Sequence, residues 1–207
     1  MTKKQKVKEI LSRLYEIWPI PSTSLNFNDA WELLVATILS AQTTDRQVNK
    51  ILPKLFAKYP SIEHFANASN NEISEYIKSV NYHNSKASYI KKSAQLIINN
   101  YDGLVPNSME ELIKLPGVAR KTANVVLGNA FGKTEGIAVD THVARLSLCF
   151  GLTKSKDPKK IEVDLMKIVP RQNWTDWTHL LINYGREYCP SRKDCSTCPM
   201  LGDLCKV

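Results

Sequence analysis

Apolar residues along this chain recur at spacings of three and four. Val7, Ile10, Leu11, Leu14 and Ile17 share one helical face, and Pro19 and Pro21 end that helix. Asp29 is placed to cap a second helix, with Glu32 three residues on as its capping-box partner. Ser69 with Glu72, and Ser108 with Glu111, repeat that signature. Asp157 followed by Pro158 marks a further start, with proline at the first helical position. No segment alternates apolar and polar residues at strand spacing between turn residues. The pattern predicts an all-α protein of about ten short helices. No internal repeat or low-complexity tract interrupts it. Lys133 to Gly136, polar and bounded by glycine, is the best candidate for a break between domains.

Composition adds a partner. The chain has 207 residues, 28 Lys plus Arg against 20 Asp plus Glu, and a net charge of +8. That excess attracts polyanions, so nucleic acid is the first partner to consider, although a basic surface alone is also common in proteins without one. Met1 to Glu9 is polar and lysine-rich, with no apolar segment of a secretory signal after it. Leu33 to Leu39, the longest apolar run, is too short to span a bilayer and contains Thr37. The expectation is a cytoplasmic protein without membrane contact.

Two local motifs carry chemistry. In Leu115-Pro116-Gly117-Val118-Ala119-Arg120-Lys121-Thr122, Pro116 stops one helix and Gly117 supplies a positive φ. Val118 pins the turn, and the next helix opens with unpaired N–H groups suited to a phosphate. The turn chemistry alone fits a plain helix–helix turn with a C-cap glycine equally well. In the tail, Cys189, Cys195, Cys198 and Cys205 read C-x5-C-x2-C-x6-C. The close pair can grip a metal centre from one turn and the outer two can close around it. Four thiolates suit a structural zinc or a [4Fe–4S] cluster, and the spacing does not choose between them. Arg192 and Lys193, inside the loop, can offset thiolate charge or reach a phosphate. Cys149, in the apolar stretch Leu146 to Leu152, reads as a buried core thiol.

Taken together, Leu115 to Thr122, then Val139-Asp140-Thr141-His142, then the four-cysteine tail resemble the endonuclease III family of helix–hairpin–helix DNA glycosylases. The resemblance extends through Leu39-Ser40-Ala41-Gln42-Thr43-Thr44-Asp45, Asn84-Ser85-Lys86-Ala87 and Lys121 to Leu127, from near residue 5 to the end. It implies a two-lobed all-α fold with the DNA cleft between the lobes. One lobe is a helical barrel with the hairpin, residues 23–133. The other, residues 1–22 plus 134–207, is discontinuous and carries the iron–sulfur cluster loop. It also implies a [4Fe–4S] cofactor on the four cysteines and damaged double-stranded DNA as partner. The enzyme would be a monomer associated with the nucleoid, removing oxidised pyrimidines and nicking the abasic site.

Lys121 falls on the family's nucleophile and Asp140 on its essential carboxylate. A lysine amine can attack the sugar C1′, and the resulting Schiff base permits β-elimination. Asp140 can take up a proton and stabilise positive charge on the sugar. Read alone, Lys121 is a phosphate contact and Asp140 an N-cap for Thr141 to Leu148. The target base must be flipped out of the duplex, and by resemblance Gln42 fills the gap and faces the orphaned partner. Gly117, Ala119 and Arg120 contact the DNA backbone, and His142 is a candidate DNA contact. Four departures from the family stand out. Tyr82 occupies the position of the second inserting residue, usually leucine, where it can wedge by stacking. His83 stands where tyrosine is common, and Ala119 replaces the second hairpin glycine. In the cysteine tail the longer gap comes last rather than first, with the total span unchanged. The competing readings are a monofunctional mismatch glycosylase of the same superfamily, against which Lys121 argues, and a non-catalytic DNA-binding protein, which needs neither Lys121 nor Asp140.

Overall fold

The computed structural model describes residues 1–205, which form only helices and connecting loops. They divide into two compact units, Thr23–Lys133 and Met1–Ser22 plus the described residues from Thr134 onward.

The continuous unit is built on α2 (Ala30–Ser40), whose residues from Leu33 to Leu39 are all buried. A short helix that is apolar all round can only be satisfied at a centre. α3 (Asp45–Lys58), α6 (His83–Tyr101) and α8 (Arg120–Ala130) pack on it directly. α4 (Ile62–Asn67) and α5 (Asn70–Tyr76) lie on α6, and α7 (Met109–Leu112) on α8. Phe65, fully buried, receives the rings of Trp31, Phe56 and Tyr59 and closes one end of this core.

The discontinuous unit joins α1 (Lys3–Ile17) to α9 (Thr141–Cys149), α10 (Pro158–Met166) and α11 (Trp174–Glu187). α11 takes α1 and α9 against its flanks, burying Ile10, Leu14, Leu146, Trp177, Leu181 and Tyr184. Among the described residues, the tail beyond α11 holds two single 3-10 turns, Cys195–Thr197 and Gly202–Leu204.

The caps separate into full and half boxes. Ser69 and Glu72 form the reciprocal pair, and Asp157 caps α10 with Pro158 at its first turn. Asp29 accepts from Glu32 N, but the Glu32 carboxylate turns to Asn28 N and Nδ2 instead, so the box expected there is half made. Ser108 likewise caps Glu111 N, while the Glu111 carboxylate is drawn to Tyr101 and Lys114. In both cases a nearby donor outside the box competes for the same carboxylate. A reciprocal box unforeseen from the sequence, Thr2 with Gln5, opens α1.

Candidate functional site

The hairpin is held from below and open above. Leu115 and Val118 are buried, and the Ser93 hydroxyl donates to Pro116 O at 3.2 Å. Gly117 has φ +79, and a Cβ there would meet the Tyr89 ring at 2.8 Å, so both backbone and space require glycine. Ala119, the N-cap of α8, has φ −92 and ψ 168, an extended conformation that any residue adopts. Its methyl is therefore accommodated, but the Ala119 side chain offers no cap to the first amides of α8. The positive end of an eleven-residue helix stands behind those amides. Gly117, Ala119, Arg120 and Lys121 are all exposed there.

A second construction joins two loops of the same unit. Gln42 (φ 55) and Tyr82 (φ 58) both take the left-handed backbone region, and both are exposed. For non-glycine residues this costs of order 1–3 kcal/mol each and persists only where the surroundings enforce it. Here they do. Lys86 is buried at 4% exposure, and its Nζ donates to Leu39 O (2.8 Å), Ala41 O (2.6 Å) and Thr43 Oγ1 (3.3 Å). It thereby closes the C-terminus of α2 and fixes both flanks of Gln42. Burial without a carboxylate partner pushes the Lys86 ammonium below its ordinary pKa. Asn81 completes the stitch: its Nδ2 donates to Gln42 O, and its backbone N–H donates to Thr43 Oγ1. Beside Tyr82, the His83 ring turns inward to the Ser74 hydroxyl at 2.7 Å, and that hydroxyl also reaches Asn84. His83 thus anchors the loop, leaving Tyr82, 64% exposed, as its protruding ring.

In the other unit, Asp140 is half-buried at the N-cap of α9, its Oδ1 accepting from Val143 N at 2.8 Å. His142 follows on the first turn, packed against α11 so tightly that a Cβ at Gly185 would come within 2.4 Å of its Nδ1. Gly185 is therefore the residue that admits the ring. Arg145, one turn further, donates from Nη1 to Cys189 Sγ (3.5 Å) and Cys195 Sγ (3.6 Å), and from Nη2 to Cys189 O.

The tail folds back so that its thiols meet. Cys189 and Cys198 are buried, and Cys195 and Cys205 are half-buried. Cys189 and Cys195 lie 3.5 Å apart, sulfur to sulfur. Cys149 corrects the sequence reading: it is half-buried, not part of the apolar core, and its Sγ lies 3.5 Å from that of Cys205. Sitting at the last position of α9, it faces the tail rather than Leu146 and Phe150, which take the core. The sulfur atoms touch pairwise, and among the described residues no three metal-binding side chains converge as the ligands of a single ion would. Burial is the main force raising the thiol pKa at Cys149, Cys195, Cys198 and Cys205. A metal bound there would displace the thiol protons. The segment is tied down by Arg13 to Met200 O and Asp203, Lys6 to Leu204 O, and Tyr184 to Pro199 O. Gly202 lets the two short turns cross, since a Cβ there would lie 2.4 Å from Ser196 O.

Of the residues singled out in the sequence, those of the hairpin share one turn, Gln42 and Tyr82 share one stitched pair of loops, and the four cysteines share the tail. Lys121 belongs to the continuous unit and Asp140 to the discontinuous one. Asn81 and the structural role of Lys86 were missed. The signal for Lys86 was its register with Ile90, Ala94 and Ile97 on the buried face of α6. No helix among the described residues is long and apolar enough to cross a membrane.

Comparison with known proteins agrees across the whole chain. Residues 35–171 match the model of the HhH-GPD superfamily base excision DNA repair protein. A protein named Endonuclease III in Synechocystis sp. is 48% identical over 205 residues, covering 99% of this chain and 93% of that one. The structure of a trapped endonuclease III–DNA covalent intermediate in an estranged-adenine complex superposes with a TM-score of 0.91 at 38% identity, covering 100% of this chain and 97% of that one. A thermostable thymine-DNA glycosylase superposes with a TM-score of 0.84 at 27% identity, covering 98% and 96%. With one relative near half identical along almost its full length and the fold shared end to end, the chain belongs to the endonuclease III family of helix–hairpin–helix base-excision DNA repair proteins.

Proposed function

We propose that this chain is a bifunctional DNA glycosylase and abasic-site lyase, excising oxidised pyrimidines from duplex DNA and then cutting the strand by β-elimination. The observation that carries the reading is the position of Lys121. It is exposed in the first turn of α8, whose opening amides receive no cap from the Ala119 side chain. A phosphate seated on those amides brings a sugar within reach of the lysine without any reading of base sequence.

In this scheme the Lys121 amine forms a bond to C1′ as the glycosidic C1′–N bond breaks, and the base leaves with a proton. Ring opening gives an imine. Loss of a proton from C2′ then expels the 3′ phosphate, and water returns the free amine. Asp140 takes up the proton from the attacking amine, directly or through water, and stabilises positive charge on the sugar. Its one observed bond, to Val143 N, occupies Oδ1 and holds the carboxylate in place. Gln42 and Tyr82 enter the duplex where the damaged nucleotide has left it. Their strained, stitched loops hold them extended before DNA arrives, which lowers the ordering cost of insertion. His142, packed on Gly185, supports the α9 terminus rather than reaching outward.

The same reading assigns a [4Fe–4S] cluster to Cys189, Cys195, Cys198 and Cys205. An all-sulfur donor set with Arg145 N–H groups aimed at two of the sulfurs suits it. The cluster would supply covalent links that close the tail. The enzyme would act as a monomer on the cell's own duplex DNA, in the cytoplasm.

The test uses duplexes carrying a single thymine glycol, a T:G mismatch or no lesion. Base release coupled to a nick is expected on the first. Release without a nick would make the enzyme monofunctional, and binding without either would make it a DNA-binding relative. Iron and sulfide analysis separates the cluster from zinc.

A further inference from the structure

The tail motif supplies four thiols, and a fifth from outside it lies against one of them. Cys149 Sγ is 3.5 Å from Cys205 Sγ. Cys195 and Cys189 form a second sulfur pair, also at 3.5 Å. The other contacts of the Cys205 sulfur are the carbonyls of Cys195 (3.3 Å) and Leu201 (3.8 Å).

The two thiols of the first pair are held differently. Cys149 closes the nine-residue helix α9, anchored by Leu146 and Phe150 in the core at 0% and 1% exposure. Cys205 follows a single 3-10 turn, seven residues beyond Cys198. A ligand on a packed helix is pre-positioned, whereas a ligand on a short turn must be ordered by binding. Both are half-buried, so neither is favoured by access.

We propose that Cys149 is a fifth cluster thiol, able to take the fourth ligand position in place of Cys205. The inference rests on the iron–sulfur reading above. The exchange is balanced without an oxidant: the Cys149 sulfur bonds to iron, the Cys205 sulfur–iron bond breaks, and the proton lost by Cys149 is taken by Cys205. The remaining three positions stay with Cys189, Cys195 and Cys198.

Iron and acid-labile sulfide per chain, with the visible charge-transfer absorption, test this on wild type, Cys149→Ser, Cys205→Ser and the double variant. Wild type and both single variants are expected to hold the cluster at similar stoichiometry, and the double variant to lose it. A Cys205→Ser protein as empty as the double variant would overturn the proposal. Wild type without iron would instead sink the cluster assignment beneath it. Should Cys205→Ser fail to fold, anaerobic alkylation of the loaded wild type with peptide mapping decides. Label divided between Cys149 and Cys205, with the other three protected, supports exchange. Label on Cys149 alone overturns it.

Discussion

The hairpin of the continuous unit and the cysteine tail of the discontinuous unit are both irregular segments held in one conformation, by opposite means. The hairpin is fixed by packing and backbone geometry, with Leu115 and Val118 in the core and Gly117 at positive φ under Tyr89; in the same unit Lys86 and Asn81 stitch the loops that carry Gln42 and Tyr82. The tail from Cys189 onward packs Leu201 and Leu204 into its unit's core and is tied by a few side-chain bonds to its carbonyls, but among the described residues its regular structure is two single turns. Its buried polar investment is in sulfur. The lesson is that one segment is complete when the chain folds, whereas the other is finished by what it binds.

Removing the ligation is the strongest way to break that contrast. Cys198→Ser is expected to lose metal and soluble yield. Hydrogen exchange on whatever folds should show residues 188–205 unprotected and α6 and α8 unchanged; equal loss of protection in both units would erase the distinction. Next comes Asp140→Asn, which keeps the helix cap because asparagine caps as well as aspartate. It should fold normally while turnover falls by about 10²–10⁴, the usual worth of a positioned acid or base. Near-normal turnover would reduce Asp140 to a cap. On the packed side, Gly117→Ala should cost about 1–2 kcal/mol from the left-handed backbone alone, with weaker DNA binding as the Tyr89 ring is displaced; an unchanged urea midpoint would mean that the turn can relax. Of similar size, Lys86→Met leaves the Leu39 and Ala41 carbonyls without their lysine donor, at about 1–3 kcal/mol. Its sharper sign is a slower base-release step with unchanged binding to undamaged duplex, since Gln42 loses its supports.

The periodicity and capping residues made the helices readable because those signals are local. α1, the Ser69 box and the Pro158 start follow from residues within a turn of each other. The half boxes at Asp29 and Ser108 failed where Asn28, Tyr101 and Lys114 entered a competition that spacing does not register. The hairpin was legible in its glycine, and Lys121 and Asp140 were singled out through motif order. What lay beyond reach was long-range: the positive φ of Gln42, flanked by groups that bond a lysine some forty residues away, and the approach of Cys149 to Cys205, 56 positions apart. Burial, too, is a tertiary property, and it moved Cys149 from the core to the side of Cys205.

The central claim is that Lys121 is the nucleophile. Borohydride trapping on a duplex carrying one thymine glycol, with wild type and Lys121→Ala side by side, tests it most directly. A covalent adduct from wild type alone, with DNA binding preserved in the variant, is the predicted result. An adduct that persists in Lys121→Ala would place the chemistry on another amine.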